Sequence, residues 1–158
     1  MKIELASGER PHNGYLHCDM RLLENTDLIC RVETLPFADG SVESLLASHI
    51  IEHFSYREID RVLAEWHRVL RRGGELLIIT PNFAYIAHGY VDGWMQYTEA
   101  RNRMFGGQDY TGNYHYTMFD SAAMSAVMTE TGFKNVKDVT SHYENRKVPM
   151  SLYFSAEK

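Results

Sequence analysis

An α/β fold built on a doubly wound, mostly parallel sheet is what this sequence predicts, and three observations predict it. Short apolar runs recur from Ile3 to Thr80, separated by loop residues. The clearest helical stretch in the chain leads straight into "ELLIIT" (Glu75 to Thr80), continuously apolar as a central parallel strand should be. The strand–helix–strand connection there has the length that makes consecutive strands parallel.

The elements follow in order. A first run (Ile3, Leu5) breaks at Ser7-Gly8, and a second (Tyr15, Leu16) ends on Asp19. Only Glu9 to Gly14 lie between them, too few for a crossover helix, so a loop replaces it. Leu28 to Glu33 leans toward strand, and Pro36, Asp39 and Gly40 mark a loop. Val42 to Ile50 reads as a buried strand. Ser55 and Glu58 make a capping box. Tyr56, Ile59, Val62, Leu63, Trp66, Val69 and Leu70 then share one helical face, and Gly73-Gly74 stops the helix as a left-handed cap. After Pro81-Asn82 comes an insert, residues 84–119, whose stretch from Tyr85 to Arg103 is expected as one helix and whose "FGGQDYTGNYH" is a loop. A second helix runs from Asp120 through Met124, Val127 and Met128 to Gly132. Val136 to Tyr143 and Val148 to Ser155, joined by "ENRK", form a C-terminal antiparallel hairpin at the sheet edge.

The 158 residues are most economically one domain, 1–158, and at 44% hydrophobic and 23% charged they can bury a core. A net charge of -5 counts against nucleic acid as a partner, since phosphate binding needs a cationic surface. Arg68, Arg71 and Arg72 end a helix, where positive charge suits the dipole. Cys18 and Cys30 sit in apolar runs and read as buried free thiols of a cytoplasmic protein. Without a signal-like segment or a membrane-length apolar run, no membrane role is expected. Loss of the first helix leaves the sheet face near residues 3 to 20 thinly covered, and an apolar surface there would call for a second copy, a homodimer.

Five stretches, "IELASGERPHNGYLHCD", "ETLPFADGSVESLLASHIIEHF", "EWHRVLRRGGELLIITPN", "FGGQDYTGNYHYTMFD" and "TETGFKNV", resemble in this order the class I S-adenosylmethionine-dependent methyltransferases. They are most similar to the small methyltransferase type 11-like subgroup that lacks the first helix. The resemblance implies a Rossmann-like sheet, S-adenosyl-L-methionine as cofactor and a cofactor site at the strand ends. Ser7, Gly8 and Glu9 would flank the methionine portion, with Arg10 pairing its carboxylate. Asp19, beside Met20, would accept the ribose hydroxyls. Ala6 stands where the family usually has glycine and is tolerable only with negative φ. Arg31 stands at the family's frequent adenine-binding acid, which leaves adenine to Val32 and Glu33. Ser48 and His49 lie at the expected sulfonium position.

Sulfonium methyl transfer is an in-line displacement governed by positioning and exclusion of water. A base is needed only for a protonated acceptor, and His49, His115 and Asp109 are the candidates. The His49, Glu52, His53 spacing invites a metal reading, but H-x-x-E-H chemistry needs a long helix and a third distant ligand, so no metal is expected. The expected function is methyl transfer to a small polar acceptor, an oxygen or nitrogen of a sugar or metabolite. The alternatives are a non-catalytic cofactor-binding domain, cofactor cleavage and aminopropyl transfer.

Overall fold

The computed structural model describes residues 1–143 and 149–158. Seven strands, β1 (Lys2–Leu5), β2 (Leu16–Asp19), β3 (Leu28–Ile29), β4 (Val42–Ser48), β5 (Leu70–Pro81), β6 (Lys134–Asp138) and β7 (Ser151–Glu157), form one sheet in the order β3-β2-β1-β4-β5-β7-β6. Pairings from β3 through β5 are parallel, and β7 runs antiparallel between β5 and β6. The mostly parallel sheet with an antiparallel edge is therefore present. The "ENRK" connection and Val148 lie outside the described residues. The strand expected to reach Tyr143 stops earlier, because Asp138 Oδ1 accepts from the Thr140 N–H and turns the chain into α5 (Thr140–Tyr143).

Helix α1 (Ile59–Val69) buries Ile59, Val62, Leu63, Trp66 and Val69, as its spacing requires. Tyr56 is exposed in the turn before it, where the Glu58 N–H closes on the Ser55 carbonyl. The helix ends at Leu70 rather than at the two glycines, because Leu70 turns extended (ψ 137) and pairs with Val42. Gly73, at φ +66, instead bends the first residues of β5, and its N–H meets the Lys158 carbonyl. Helix α4 (Ser121–Glu130) starts as expected, with Asp120 Oδ1 accepting from the Ala123 N–H, and buries Met124 and Met128.

Both α1 and α4 pack on the sheet face carrying Ile3, Leu5, Leu45, Ala47, Leu76, Ile78 and Phe154. On the opposite face the paired rows read Glu4, Leu46, Leu77, Ser155 and Ser44, Glu75, Glu157. That face is mostly polar, and no long helix crosses it among the described residues. The loop replacing the first crossover helix is pinned to it through a carboxylate. Glu4, 2% exposed, accepts from the His12 N–H and meets His12 Nδ1, both at 2.7 Å. The cover near residues 3 to 20 is thus polar where Glu4 meets His12.

Arg68 binds the helix to the loop after β3. Its guanidinium donates to the Leu35 and Phe37 carbonyls, to Asp39 and to Glu65. This arginine is an internal clamp, consistent with the dipole reading and not with a phosphate site.

The insert contains two helices, α2 (Phe83–Val91) and α3 (Tyr97–Phe105), where one was expected. Gly93 at φ +77 breaks them apart. The reversal packs Trp94 and Met95 so tightly onto Gly89 that a Cβ there would lie 2.8 Å from the Trp94 ring. A small separate core of Ile86, Met95 and Ala100 holds the pair together. No helix among the described residues is long and apolar enough to cross a membrane.

Candidate functional site

A cleft of about 300 Å³ opens where the parallel strands end. It is lined by Ala6 after β1, Asp19, Met20 and Arg21 at the end of β2, and Cys30 to Glu33 after β3. His49, Ile50, His53 and Phe54 after β4 complete the floor, and Tyr110, Thr111 and Gly112 reach in from the insert. Ligands of open parallel sheets bind at this end of the strands.

Asp19 is the centre of the β1–β2 side. It is 2% exposed, and its Oδ2 accepts from the Gly8 N–H at 3.0 Å, which folds the glycine loop back over the end of β2. Oδ1 accepts from the Arg21 N–H at 2.9 Å and from Arg21 Nε at 3.1 Å. Burial pushes the carboxyl up, but the Arg21 side chain and the Arg21 and Gly8 N–H groups outweigh it, so Asp19 titrates below the usual carboxylate range and is charged at neutral pH. The Arg21 guanidinium also lies 5.1 Å over the Tyr110 ring, linking the acid to the insert loop. Arg21 was not anticipated from sequence. Its only local signal is a cation two residues beyond the strand-end acid.

Ala6 adopts φ +51, so the negative φ required for a harmless alanine is not found. The family's glycine position is genuinely left-handed here, at a cost of roughly 1–2 kcal/mol for an L side chain. Ala6→Gly is expected to raise stability by about 0.5 kcal/mol after the added unfolded-state entropy, read as a small rise in thermal midpoint with the fold unchanged. The next residue, Ser7, is 7% exposed, and its Oγ is the buried side-chain polar atom without a hydrogen-bond partner among the described residues. Glu9 and Arg10 are exposed and do not line the cleft; nor do Ser7, Gly8 and Ser48.

On the β3 side, Arg31 folds onto the acid two residues on, Nε to Glu33 Oε1 at 2.6 Å. The Val32 carbonyl accepts from the Trp66 indole N–H at 3.0 Å, so α1 fixes this wall of the cleft. Cys18 and Cys30 are both free. Burial and the neighbouring Cys30 push the Cys18 thiol far up, leaving it unreactive.

After β4 four polar residues converge. His49 sits at φ +53 with its N–H on the Ile79 carbonyl at 2.8 Å. Its half-exposed side chain brings Nδ1 3.3 Å from Glu52 Oε1. Glu52, on a 3₁₀ turn (Ile51–His53), is fully buried, and its Oε2 accepts from Thr80 Oγ1 at 3.2 Å. The Glu52 carbonyl accepts from the Tyr116 and Thr117 N–H groups, which ties the insert to this turn. His115 arrives by that route. Its ring meets His53 edge-on at 4.8 Å, and its Nδ1 lies 3.0 Å from the Arg103 carbonyl. Burial lowers the His115 pKa despite the Glu52 charge, so the ring is neutral at pH 7. His115 does not line the cleft. Asp109 is exposed, outside the lining, and held below the usual carboxylate range first by the Asn113 amide, which makes it a poor base.

Residues 10–78 match the methyltransferase domain family. A mouse protein, eEF1A lysine and N-terminal methyltransferase, is 34% identical over 97 residues, 58% of this chain and 13% of the mouse protein. The chain thus spans only a small part of that relative. Among solved structures, a SAM-dependent methyltransferase of Thermotoga maritima superposes with a TM-score of 0.63 at 15% identity over 99% of this chain and 81% of its own. The 1,6-didemethyltoxoflavin-N1-methyltransferase of Burkholderia thailandensis, solved with its substrate and S-adenosylhomocysteine, gives 0.63 at 13% identity over 99% and 70%. The family match spans residues 10–78, and the strand order and these superpositions show that the chain shares the fold of S-adenosylmethionine-dependent methyltransferases.

Proposed function

We propose that the chain binds S-adenosylmethionine in the strand-end cleft and transfers a methyl group to an oxygen or nitrogen of a small polar acceptor. The observation that carries this reading is the charged, buried Asp19 at the end of β2, already folded against the Gly8 N–H and facing the cleft. The residues fit the cofactor. Asp19 now accepts from the Gly8 N–H and from the Arg21 backbone and guanidinium, so ribose hydroxyls would take over the places held by the half-exposed Arg21 side chain while the backbone bonds stay. Glu33 and the Cys30 to Val32 backbone form the adenine wall. When bound, S-adenosylmethionine supplies a methyl group already activated by its sulfonium.

The chain's own contribution is then placement, water exclusion and removal of one proton. Tyr110, Thr111 and Gly112 close the cleft from the insert, shielding the reacting carbon. His49 is the base. Glu52 holds Nδ1, as a carboxylate orients a catalytic imidazole, which leaves Nε2 as the proton acceptor. His49→Asn tolerates the left-handed backbone but has no base. It is expected to lower turnover on a hydroxyl or ammonium acceptor roughly 100-fold or more, with S-adenosylhomocysteine affinity unchanged.

Calorimetric titration with S-adenosylmethionine and S-adenosylhomocysteine tests the reading. Micromolar binding supports it, and absence of binding by the intact chain ends it. Acceptor pools are then screened for S-adenosylhomocysteine formation. Because the mouse relative is named for lysine and N-terminal methylation, peptide amines belong in that screen beside sugars and metabolites.

A further inference from the structure

Glu52, His53 and His115 offer one ligand atom each, all within 4.8 Å of one another, on the side of the cleft where the insert closes. They come from two segments far apart in sequence. The Glu52 carbonyl bonds to the Tyr116 and Thr117 N–H groups, and Thr117 Oγ1 donates to the Phe54 carbonyl at 2.8 Å, so the two segments are held in register.

The two imidazoles are prepared in the same way. His53 Nδ1 lies 2.9 Å from the Gly112 carbonyl and His115 Nδ1 lies 3.0 Å from the Arg103 carbonyl. A carbonyl can only accept, so Nδ1 carries the proton in both rings, and both Nε2 atoms are left with a free lone pair. Metal-binding histidines are oriented by this kind of second contact. The third group, Glu52, is fully buried, yet no Lys or Arg pairs with it among the described residues. Its contacts are the Thr80 hydroxyl and His49 at 3.3 Å. A buried carboxylate without a cation is costly, and a divalent ion would supply the missing charge.

We infer that Glu52, His53 and His115 form a binding site for one divalent transition-metal ion, of the zinc class, at the edge of the cleft. Two imidazole nitrogens and one carboxylate are the donor set of open, three-ligand zinc sites, whose fourth position is left for water or a substrate oxygen. Ligands about 2.0 Å from a tetrahedral ion stand roughly 3.3 Å apart, so the side chains draw together by about an ångström or so on binding. His53 also lines the cleft, which places the ion within reach of an acceptor oxygen. No metal was expected from sequence because neither a long helix nor a third distant ligand was evident; His115, from the insert, supplies the third ligand here without a long helix.

The test is a metal titration without cofactor, so its outcome is independent of the methyltransferase reading. Chelator-stripped chain is titrated with Zn²⁺ by calorimetry and with Co²⁺ by visible absorption. One equivalent should bind with submicromolar affinity, and the cobalt form should show the intense bands of four- or five-coordinate geometry. His53→Gln, at a half-exposed position, should weaken Zn²⁺ binding at least about 100-fold with circular dichroism unchanged, while Asp19→Ala should bind Zn²⁺ as the parent does. Absence of stoichiometric binding by the parent overturns the inference. So does equal affinity in His53→Gln and His115→Gln, or a weak octahedral cobalt spectrum.

Discussion

Asp19→Ala is expected to lower S-adenosylhomocysteine affinity by at least about 100-fold. Hydrogen bonds to a charged acceptor are worth roughly 1.5–3 kcal/mol each, and two ribose hydroxyls share this carboxylate in the proposed complex. Each 1.4 kcal/mol or so is tenfold in affinity. The loss has a second component, since the carboxylate also anchors the Gly8 N–H and the Arg21 side chain. Without it the glycine loop keeps the Ser7 N–H to Cys18 carbonyl bond but loses the Gly8 tie to the end of β2. Asp19→Asn separates the two effects: its single carbonyl oxygen can keep the Gly8 bond but cannot serve both hydroxyls and Arg21. An intermediate loss for Asn and a near-complete loss for Ala are expected by calorimetry. Parent-like affinity in Asp19→Ala would move the ribose elsewhere and remove the residue on which the cofactor reading rests.

What was legible in the sequence follows the range of the physical signal. Helix α1 was legible because its apolar spacing is local and every member except Tyr56 is buried. Asp19 was legible because it closes a short strand, and the missing crossover helix was legible from length alone. The Gly73-Gly74 stop was misjudged, since nothing local announces that Leu70 already pairs with Val42. The insert was misjudged for a related reason: Gly93 reads as one weak point in a helix until Trp94 and Met95 pack back onto Gly89. Arg21, Glu52 and His53 acquire roles only through contacts across the fold, with Tyr110, Thr80 and His115 respectively. Residue type picked out His115 and Asp109 alike. Only tertiary packing separates the ring drawn inward against His53 from the carboxylate left in solvent.

Trp66→Ala is expected to cost more stability than any cleft substitution, and to reach the cleft as well. The side chain is wholly buried between α1 and the sheet, and its indole N–H donates to the Val32 carbonyl. Truncating a buried tryptophan costs about 3–5 kcal/mol, and the Val32 carbonyl left without its donor adds roughly 1–3 kcal/mol. Against a total stability of about 5–15 kcal/mol for a domain, that places the variant near unfolding. The fold has little reserve, because α1 and α4 form the main apolar layer on one face while the other is closed by polar contacts such as Glu4 with His12. Trp66→Phe keeps most of the packing and drops the bond, so it should cost about 1–3 kcal/mol and remain folded. Val32 precedes Glu33 in the proposed adenine wall, so the Phe variant should also bind S-adenosylhomocysteine several-fold more weakly. Thermal melts and calorimetry on the two variants decide the point. If Phe matches the parent in both, the indole bond contributes nothing to the wall and Trp66 acts through packing alone.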